Sequence, residues 1–522
     1  MLQTDKVESA VRINRAELFR FGTALIFMAA VMLFTIVRAE GGHDSVLLVI
    51  AAMIGGYMAM NIGANDVANN VGPAVGSQAI TLTGAIAIAA FFEAGGAIVA
   101  GGDVVGTIKK GIIDPAMVAD RDTFVWVMMA ALLAAAVWLN FATAVGAPVS
   151  TTHSIVGGVL GAGIAASGWS IADWGQVGQI AASWVISPVM GGLIAAGFLY
   201  LIKRTITYRS DILGAARRMV PILVALMAWA FATYLMLKGV TQIWKVSFGM
   251  ATLIGLGAGL ATYALLRPRI LRRTEGLANH KDSVNELFTV PLIFAAALLS
   301  FAHGANDVAN AVGPLAGINE AIVGGAVAAK AAIPVWVMLV GALGISLGLA
   351  LFGPKLIRTV GSEITELDKM RAFCIAMAAA ITVIIASQLG LPVSSTHIAV
   401  GGVFGVGFLR EYIKSSYARM LDEIREHHVD EHPEAVEAFL SKFEAADVTT
   451  KGEMLRELKR ASAAGKRLLA KSERKGLRQV HRIELVKRAL ILRIVAAWLI
   501  TVPLAATLAA MFFFTIRGMM MP

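Results

Sequence analysis

The stretch "GANDVANNVGPAVG" fills residues 63–76, and "GANDVANAVGPLAG" returns at 304–317. Both lie in apolar runs of the kind a bilayer holds. Backbone amides and carbonyls cannot be left bare in hydrocarbon, so a broken helix at that depth persists only against protein or a wet cavity. Gly63, Gly72 and Pro73, and again Gly304, Gly313 and Pro314, are the expected interruptions. Asp66 and Asp307 are the ionisable residues there, and an unpaired charge in a membrane costs several kcal/mol. Helix capping would explain one such Asp. Two copies, each flanked by Asn, point to binding.

A second motif repeats in the same order. "APVSTTHSIVGGVLGAG" (147–163) comes back as "LPVSSTHIAVGGVFGVG" (391–407). Asn65 to Asn306 is a shift of 241 residues, and His153 to His397 is 244. Near-constant offsets indicate an internal duplication. Loop charge orients the halves. The helix leading to Asp66 follows "AEGGHDS", without Lys or Arg, and is expected to start outside. The helix leading to Asp307 follows "RPRILRRTEGLANHK" and is expected to start in the cytoplasm. The expectation is therefore inverted-topology repeats with discontinuous helices. Tracing the sides also makes each PVS-containing element a re-entrant hairpin, turning at Pro148-Val149-Ser150 and Pro392-Val393-Ser394. The block 107–113, with Lys109 and Lys110, fits this trace poorly.

Composition sets the class. The 522 residues are 57% hydrophobic and only 15% charged, with mean hydropathy +0.73, against about 25% charged in soluble domains. Runs such as 21–37, 177–202, 219–237 and 246–266 reach the roughly 17–25 residues of a spanning helix. This is an all-α polytopic membrane protein. The net charge of +10 collects in short loops and one polar insert, as cytoplasmic faces require, and argues against a nucleic-acid partner. A single cysteine, Cys374, excludes an intramolecular disulfide and a multi-cysteine metal site. No small-residue cleavage site follows the first apolar run, so a retained helix with a cytoplasmic N-terminus is expected. The chain divides into a polar segment and first helix (1–44), repeat 1 (45–202), connecting helices with basic loops (203–284), the first part of repeat 2 (285–409), a cytoplasmic helical insert (410–488) and a final helix (489–522).

Asn65, Asp66 and Asn69, matched by Asn306, Asp307 and Asn310, supply amide and carboxylate oxygens. Such hard ligands suit a small hard cation and not zinc or copper. Sodium is the natural candidate, as a co-transported ion and not a cofactor. Ser150, Thr151 and Thr152, matched by Ser394, Ser395 and Thr396, each open a helical stretch. Unpaired amides and the positive dipole end make a helix start an anion site, though Ser and Thr there also serve as plain N-caps. His153 and His397 follow directly, as hydrogen-bonders of the anion, proton relays or structural residues.

With these residues in hand, the chain resembles the inorganic phosphate transporter (PiT) family. Its GANDVAN-type motif appears in both halves, "GLPVSSTHIAVGGV" matches its second element, and "FFEAGGAIVAGGDVVGTIKKGI" (91–112) resembles a segment of the sodium-coupled branch. The resemblance implies a sodium-driven phosphate symporter of the plasma membrane, with inverted repeats and a homodimeric assembly. It marks Glu93 as a functional acid; Asn65 and Asn306 are further candidates for phosphate binding. Relatives that use protons or carry sulfate keep a proton-coupled phosphate or sulfate permease open. Two other classes compete: an intramembrane aspartyl protease with Asp66 and Asp307 as its dyad, and a passive anion channel. The first would not need symmetric hydroxyl trios, and the second would not need acids beside an anion path.

Overall fold

The computed structural model describes residues 2–38, 43–145, 147, 149–239, 246–324, 333–363, 368–427, 433–445, 454 and 488–520. These residues form helices and connecting turns, with one antiparallel bridge, Ile113 to Ala172. In chain order the helices are α1 (Leu2–Arg38), α2 (His43–Asn65), α3 (Val67–Gly76), α4 (Leu82–Ala100), α5 (Gly102–Gly106), α6 (Arg121–Val145), α7 (Thr151–Ser167), α8 (Trp174–Ile202) and α9 (Ile212–Lys238). There follow α10 (Phe248–Arg273), α11 (Lys281–Leu287), α12 (Thr289–Asp307), α13 (Ala309–Gly324), α14 (Val335–Glu363), α15 (Lys369–Gln388), α16 (Ser395–His427), α17 (Pro433–Ala445) and α18 (Arg488–Met520). Eleven spans among the described residues are long and apolar enough to cross a membrane, counting α2–α3 and α12–α13 as one each.

Burial sorts these spans into an inner and an outer set. The apolar stretch of α12–α13 is 89% buried and that of α15 78%, while α1 and α10 reach only 11% and 17%. The inner set carries both copies of the GANDVAN motif. Cys374 of α15 is wholly buried there.

Contacts between helix ends define two faces. At one, Arg121 at the start of α6 pairs with Asp44 at the start of α2 (2.9 and 3.0 Å). The turn after α7 joins this face, since Asp173 N–H donates to Ile112 O (3.1 Å). The α6–α7 hairpin thus returns to where it began. At the other face, Lys369 at the start of α15 holds Glu286 of α11 (2.6 Å), and Lys281 approaches Asp368 (3.8 Å).

The helices break where expected, but by a different device. The joins fall at Asp66 and Val308, one residue each, closed by tight bonds from Asn69 N–H to Asp66 O (3.0 Å) and Ala311 N–H to Val308 O (3.2 Å). Gly72 and Pro73 lie inside α3, and Gly313 and Pro314 inside α13. Gly63 and Gly304 are crossing points instead. A Cβ at Gly63 would strike the Ile345 carbonyl of α14, and one at Gly304 the Glu93 backbone of α4. Small residues let membrane helices approach backbone to backbone in this way. The awkward block 107–113 contains a π-helical turn, Thr107–Gly111, whose buried Lys109 forms an ion pair with Glu320 of α13. Pro148 lies outside the described residues, as do 428–432, 446–453 and 455–487 of the insert. The rest of the insert includes the extension of α16 and α17.

Candidate functional site

The two joins and the two hairpin turns converge. Asp66, Asn69, Asp307, Asn310, Thr151, Thr152, Ser395 and Thr396 are all buried. Their hydrogen bonds cross between the halves. Thr151 Oγ1 donates to Asp66 Oδ2 (2.6 Å), and Thr396 Oγ1 reaches Asp66 Oδ1 (3.4 Å). Asn69 Nδ2 donates to Thr396 Oγ1 (2.8 Å). Asn310 Nδ2 lies 3.2 Å from both Thr151 Oγ1 and Thr152 Oγ1. The first repeat's Asn thus meets the second repeat's Thr, and the reverse.

Asn65 and Asn306 fasten each join to the turn of its own half. Asn306 Nδ2 donates to Ser387 Oγ (2.9 Å) and Leu391 O (3.1 Å), and its Oδ1 accepts from Val393 N–H (3.3 Å). The Asn65 amide lies 2.9 Å from Thr143 Oγ1. In the orientation that satisfies both its ends, its nitrogen reaches Asp66 Oδ1 at 3.2 Å. Ser150 Oγ accepts from His153 N–H (3.1 Å) and Ser394 Oγ from His397 N–H (3.3 Å), so these two serines serve as N-caps. The hydroxyls that face the motif residues are Thr151, Thr152 and Thr396. Thr152 Oγ1 also donates to Val393 O (2.9 Å).

The two carboxylates are dressed differently. Asp66 accepts the hydroxyls of Thr151 and Thr396. Asp307 Oδ1, Asn310 Oδ1 and Ser395 Oγ are without a hydrogen-bond partner among the described residues, and Asp307 Oδ2 has the His303 ring nitrogen at 2.8 Å. Buried polar atoms are almost always satisfied. A cluster of bare oxygens here therefore marks a place for a ligand. Ligand atoms of Asp66, His303 and Asp307 lie within 4.8 Å of one another.

His303 is the residue the motif reading passed over. It sits one helical turn before Asp307, and its Nε2 lies 2.8 Å from Asp307 Oδ2 as an ion-pair contact without hydrogen-bond alignment. Its Nδ1 meets Glu93 Oε2 at 2.7 Å, and Asn70 Nδ2 donates to Glu93 Oε1 (2.8 Å). Both ring nitrogens of His303 are engaged by carboxylates, so a cation here would draw on oxygens. Glu93 is a third buried acid, one more than the motifs alone imply. The residue matching His303 in the first repeat is Ile62, and the one matching Asn70 in the second is Ala311. This string therefore exists on one side only. Those two mismatches between otherwise like copies are the signal that could have exposed it.

His153 and His397 meet edge to face, with ring centroids 4.5 Å apart, and His153 lies 3.8 Å from Trp184. Both rings line an apolar crevice between α8, α16 and α18.

The chain is similar to known proteins over most of its length. The profile described as "Phosphate transporter family" matches residues 62–509. A Helicobacter pylori (strain J99) protein named "Putative phosphate permease" is 51% identical over 97% of this chain and 96% of its own. One of the same kind of name from Pyrococcus abyssi is 39% identical over 70% of this chain and 89% of its own. The solved structure called "The sodium-dependent phosphate transporter" aligns with a TM-score of 0.74 at 31% identity, covering 91% of this chain and all of that one.

Proposed function

Since the chain belongs to the phosphate transporter family, and is a membrane carrier and not an enzyme, we propose that it imports inorganic phosphate across the plasma membrane by symport with sodium. It does so as a homodimer whose halves enter the membrane with opposite topology and whose N-terminus is cytoplasmic. The observation that carries this reading is the crossed constellation at Asp66 and Asp307. Hydroxyls and amides from both repeats surround bare carboxylate and amide oxygens in one buried place.

Charge supplies the coupling. With about 5 Å between like charges and an effective dielectric near 20, each pair costs roughly 3 kcal/mol. The site already holds Asp66, Asp307 and Glu93, with His303 between the last two. Phosphate adds one or two negative charges, so it enters together with cations. Asp66, Asp307, Asn69, Asn310, Asn65 and Asn306 are the oxygen donors for sodium. Thr151, Thr152, Ser395, Thr396 and the amides opening α7 and α16 are the donors for phosphate. The name of the aligned solved structure supports sodium as the coupling ion.

The test is labelled phosphate uptake into proteoliposomes. An inward sodium gradient should drive accumulation above the external concentration, and a proton gradient alone should not. Accumulation driven by protons without sodium would sink sodium coupling. Equilibration without accumulation would sink symport altogether.

A further inference from the structure

Residues 101–113, which follow α4, form an irregular strap. Gly101 separates α4 from the short α5, and Thr107–Gly111 winds as a π-helical turn. Such turns are rare and fall often at functional places. The matching helix of the second repeat is α14. A Cβ at Gly96 of α4 would strike the Phe301 carbonyl of α12, and one at Gly348 of α14 the Met60 carbonyl of α2. Beyond that crossing α14 runs on unbroken to Glu363. Among the described residues, the strap thus has no equal in the second repeat.

Its contacts join the two halves. A Cβ at Gly101 would strike the Val308 side chain at the second join, and one at Gly313 of α13 would lie 2.7 Å from Ile108. Thr107 Oγ1 donates to Gly390 O (2.7 Å), in the turn that leads to Ser394. Lys109 is buried and paired with Glu320 of α13. At its far end the strap meets the first hairpin. Asp173 N–H donates to Ile112 O (3.1 Å), and Asp114 N–H to Ile171 O (2.9 Å). The strap therefore follows α13 from the join beside Asp307 to the face of Arg121 and Asp44. Ile108, Ile112 and Ile113 are wholly buried along it.

A carrier with its site between two repeats works by rocking or gating one against the other. The bonds from Thr107 to Gly390 and from Lys109 to Glu320 tie the repeats together on this face. Both must part if the face opens. The ion pair suits that duty. Burial of two charges costs in desolvation much of what their attraction gains, so the pair loses little when opening lets water reach both. At Gly102, beside the break, a Cβ would meet nothing within 4 Å, so packing does not require glycine there.

We propose that residues 101–113 are the gate on this face, hinged at Gly101–Gly102 and latched by Thr107 on Gly390 and Lys109 on Glu320. Lifting the strap from α13 and the second hairpin turn admits phosphate and sodium. The proposal rests on the reading of the chain as a symporter. Lys109 and Thr107 act as positioning residues and do not touch the cargo.

Two variants move the latch in opposite directions. Lys109→Met with Glu320→Leu removes the ion pair without stranding a charge. Lys109→Cys with Gly317→Cys, in a Glu320→Gln background, offers a disulfide from strap to α13, since a Cβ at Gly317 would lie 3.5 Å from Lys109 Cγ. Cys374 is buried and leaves oxidation to the new pair. In sealed vesicles, oxidation should lower sodium-driven phosphate uptake roughly tenfold or more, because opening is obligatory. A reductant should restore uptake, and Gly317→Cys alone should ignore the oxidant. Labelled phosphate should still bind the oxidised protein in detergent within about twofold of the reduced form, reaching the site from the other face. A second readout does not depend on the cargo. Val105→Cys, buried on the strap, should react with a maleimide roughly fivefold or more faster when Lys109→Met and Glu320→Leu free the latch. This reporter also carries the test if the cysteine pair fails to fold. Undiminished uptake by fully cross-linked protein would overturn the gate, as would loss of phosphate binding together with uptake. Unchanged reporter reactivity in the folded latch-free protein would overturn it too. Failure of the wild-type chain to take up phosphate would sink the symport reading, and the reporter would still decide whether the strap opens.

Discussion

Asp66 and Asp307 occupy matching places in the repeat, yet their surroundings differ. Asp66 has two hydroxyl donors, and an Asn there would still accept the Thr151 hydroxyl. Asp307 has one bare oxygen, Oδ1, and one beside His303. Asp307→Asn should therefore raise the sodium needed for half-maximal uptake by roughly ten- to a hundredfold, the equivalent of about 1.5–3 kcal/mol for one interaction with a charged group. Asp66→Asn should shift it less. Equal shifts, or unchanged sodium activation in both, would remove the asymmetry from the coupling. The same bare acceptors bear on selectivity. Phosphate near neutral pH keeps O–H groups that can donate to Asp307 or Asn310, and sulfate has none. Leaving such acceptors unpaired costs about 1–3 kcal/mol, so sulfate should compete for uptake roughly ten- to a hundredfold more weakly than arsenate. Competition of equal strength would refute the donor argument. At this scale the motif residues were legible because Asn and Asp inside apolar runs are costly. Glu93 was visible only through family resemblance, and His303 not at all. Glu93 is the only ionisable residue of α4, and only folding brings it to His303 of α12.

Gly63 and Gly304 show how an element can be read correctly for the wrong cause. Glycine beside Asn-Asp in an oily run reads as a breaker. In the fold it lets α2 cross α14, and α12 cross α4, at backbone contact. The pattern recurs one step along: a Cβ at Gly348 would strike the Met60 carbonyl, and one at Gly96 the Phe301 carbonyl. Sequence could not separate break from crossing, because the neighbour that needs the space is far away in the chain. Gly63→Ala and Gly304→Ala should each destabilise the protein by about 1–3 kcal/mol, the usual range for overpacking, and reduce uptake. Gly197→Ala, where a Cβ would meet nothing within 4 Å, should do neither. Thermal unfolding in detergent measures the difference, and full stability of both crossing variants would refute the reading. The hairpins were more legible. Their helix starts carry Ser caps, and charge in the flanking loops fixed both ends to one face.

For the whole molecule, the paired motifs at near-constant offset suggested the repeats, and the crowding of Glu, Lys and Arg in 410–488 suggested the insert. α17 packs against α16 and buries Val436, Leu440 and Phe443, and none of these belongs to the site. Replacing 433–476 with a flexible linker should leave the KM for phosphate within about twofold, where RT ln 2 is roughly 0.4 kcal/mol. A large rise in KM in a folded deletion would place the insert on the substrate path. The proposed opposed entry of the two halves can be examined with a convenience the chain already provides. Its one thiol, Cys374, is sealed within α15, so the native protein is a ready background for accessibility mapping. Single cysteines at the exposed positions Ala119 and Ser170 should react with an impermeant maleimide from one side of sealed, oriented vesicles. Those at the exposed Glu275 and Ala278 should react only from the other. Labelling of all four from a single side would mean that the repeats run in parallel, and every label would report its own position without a competing signal.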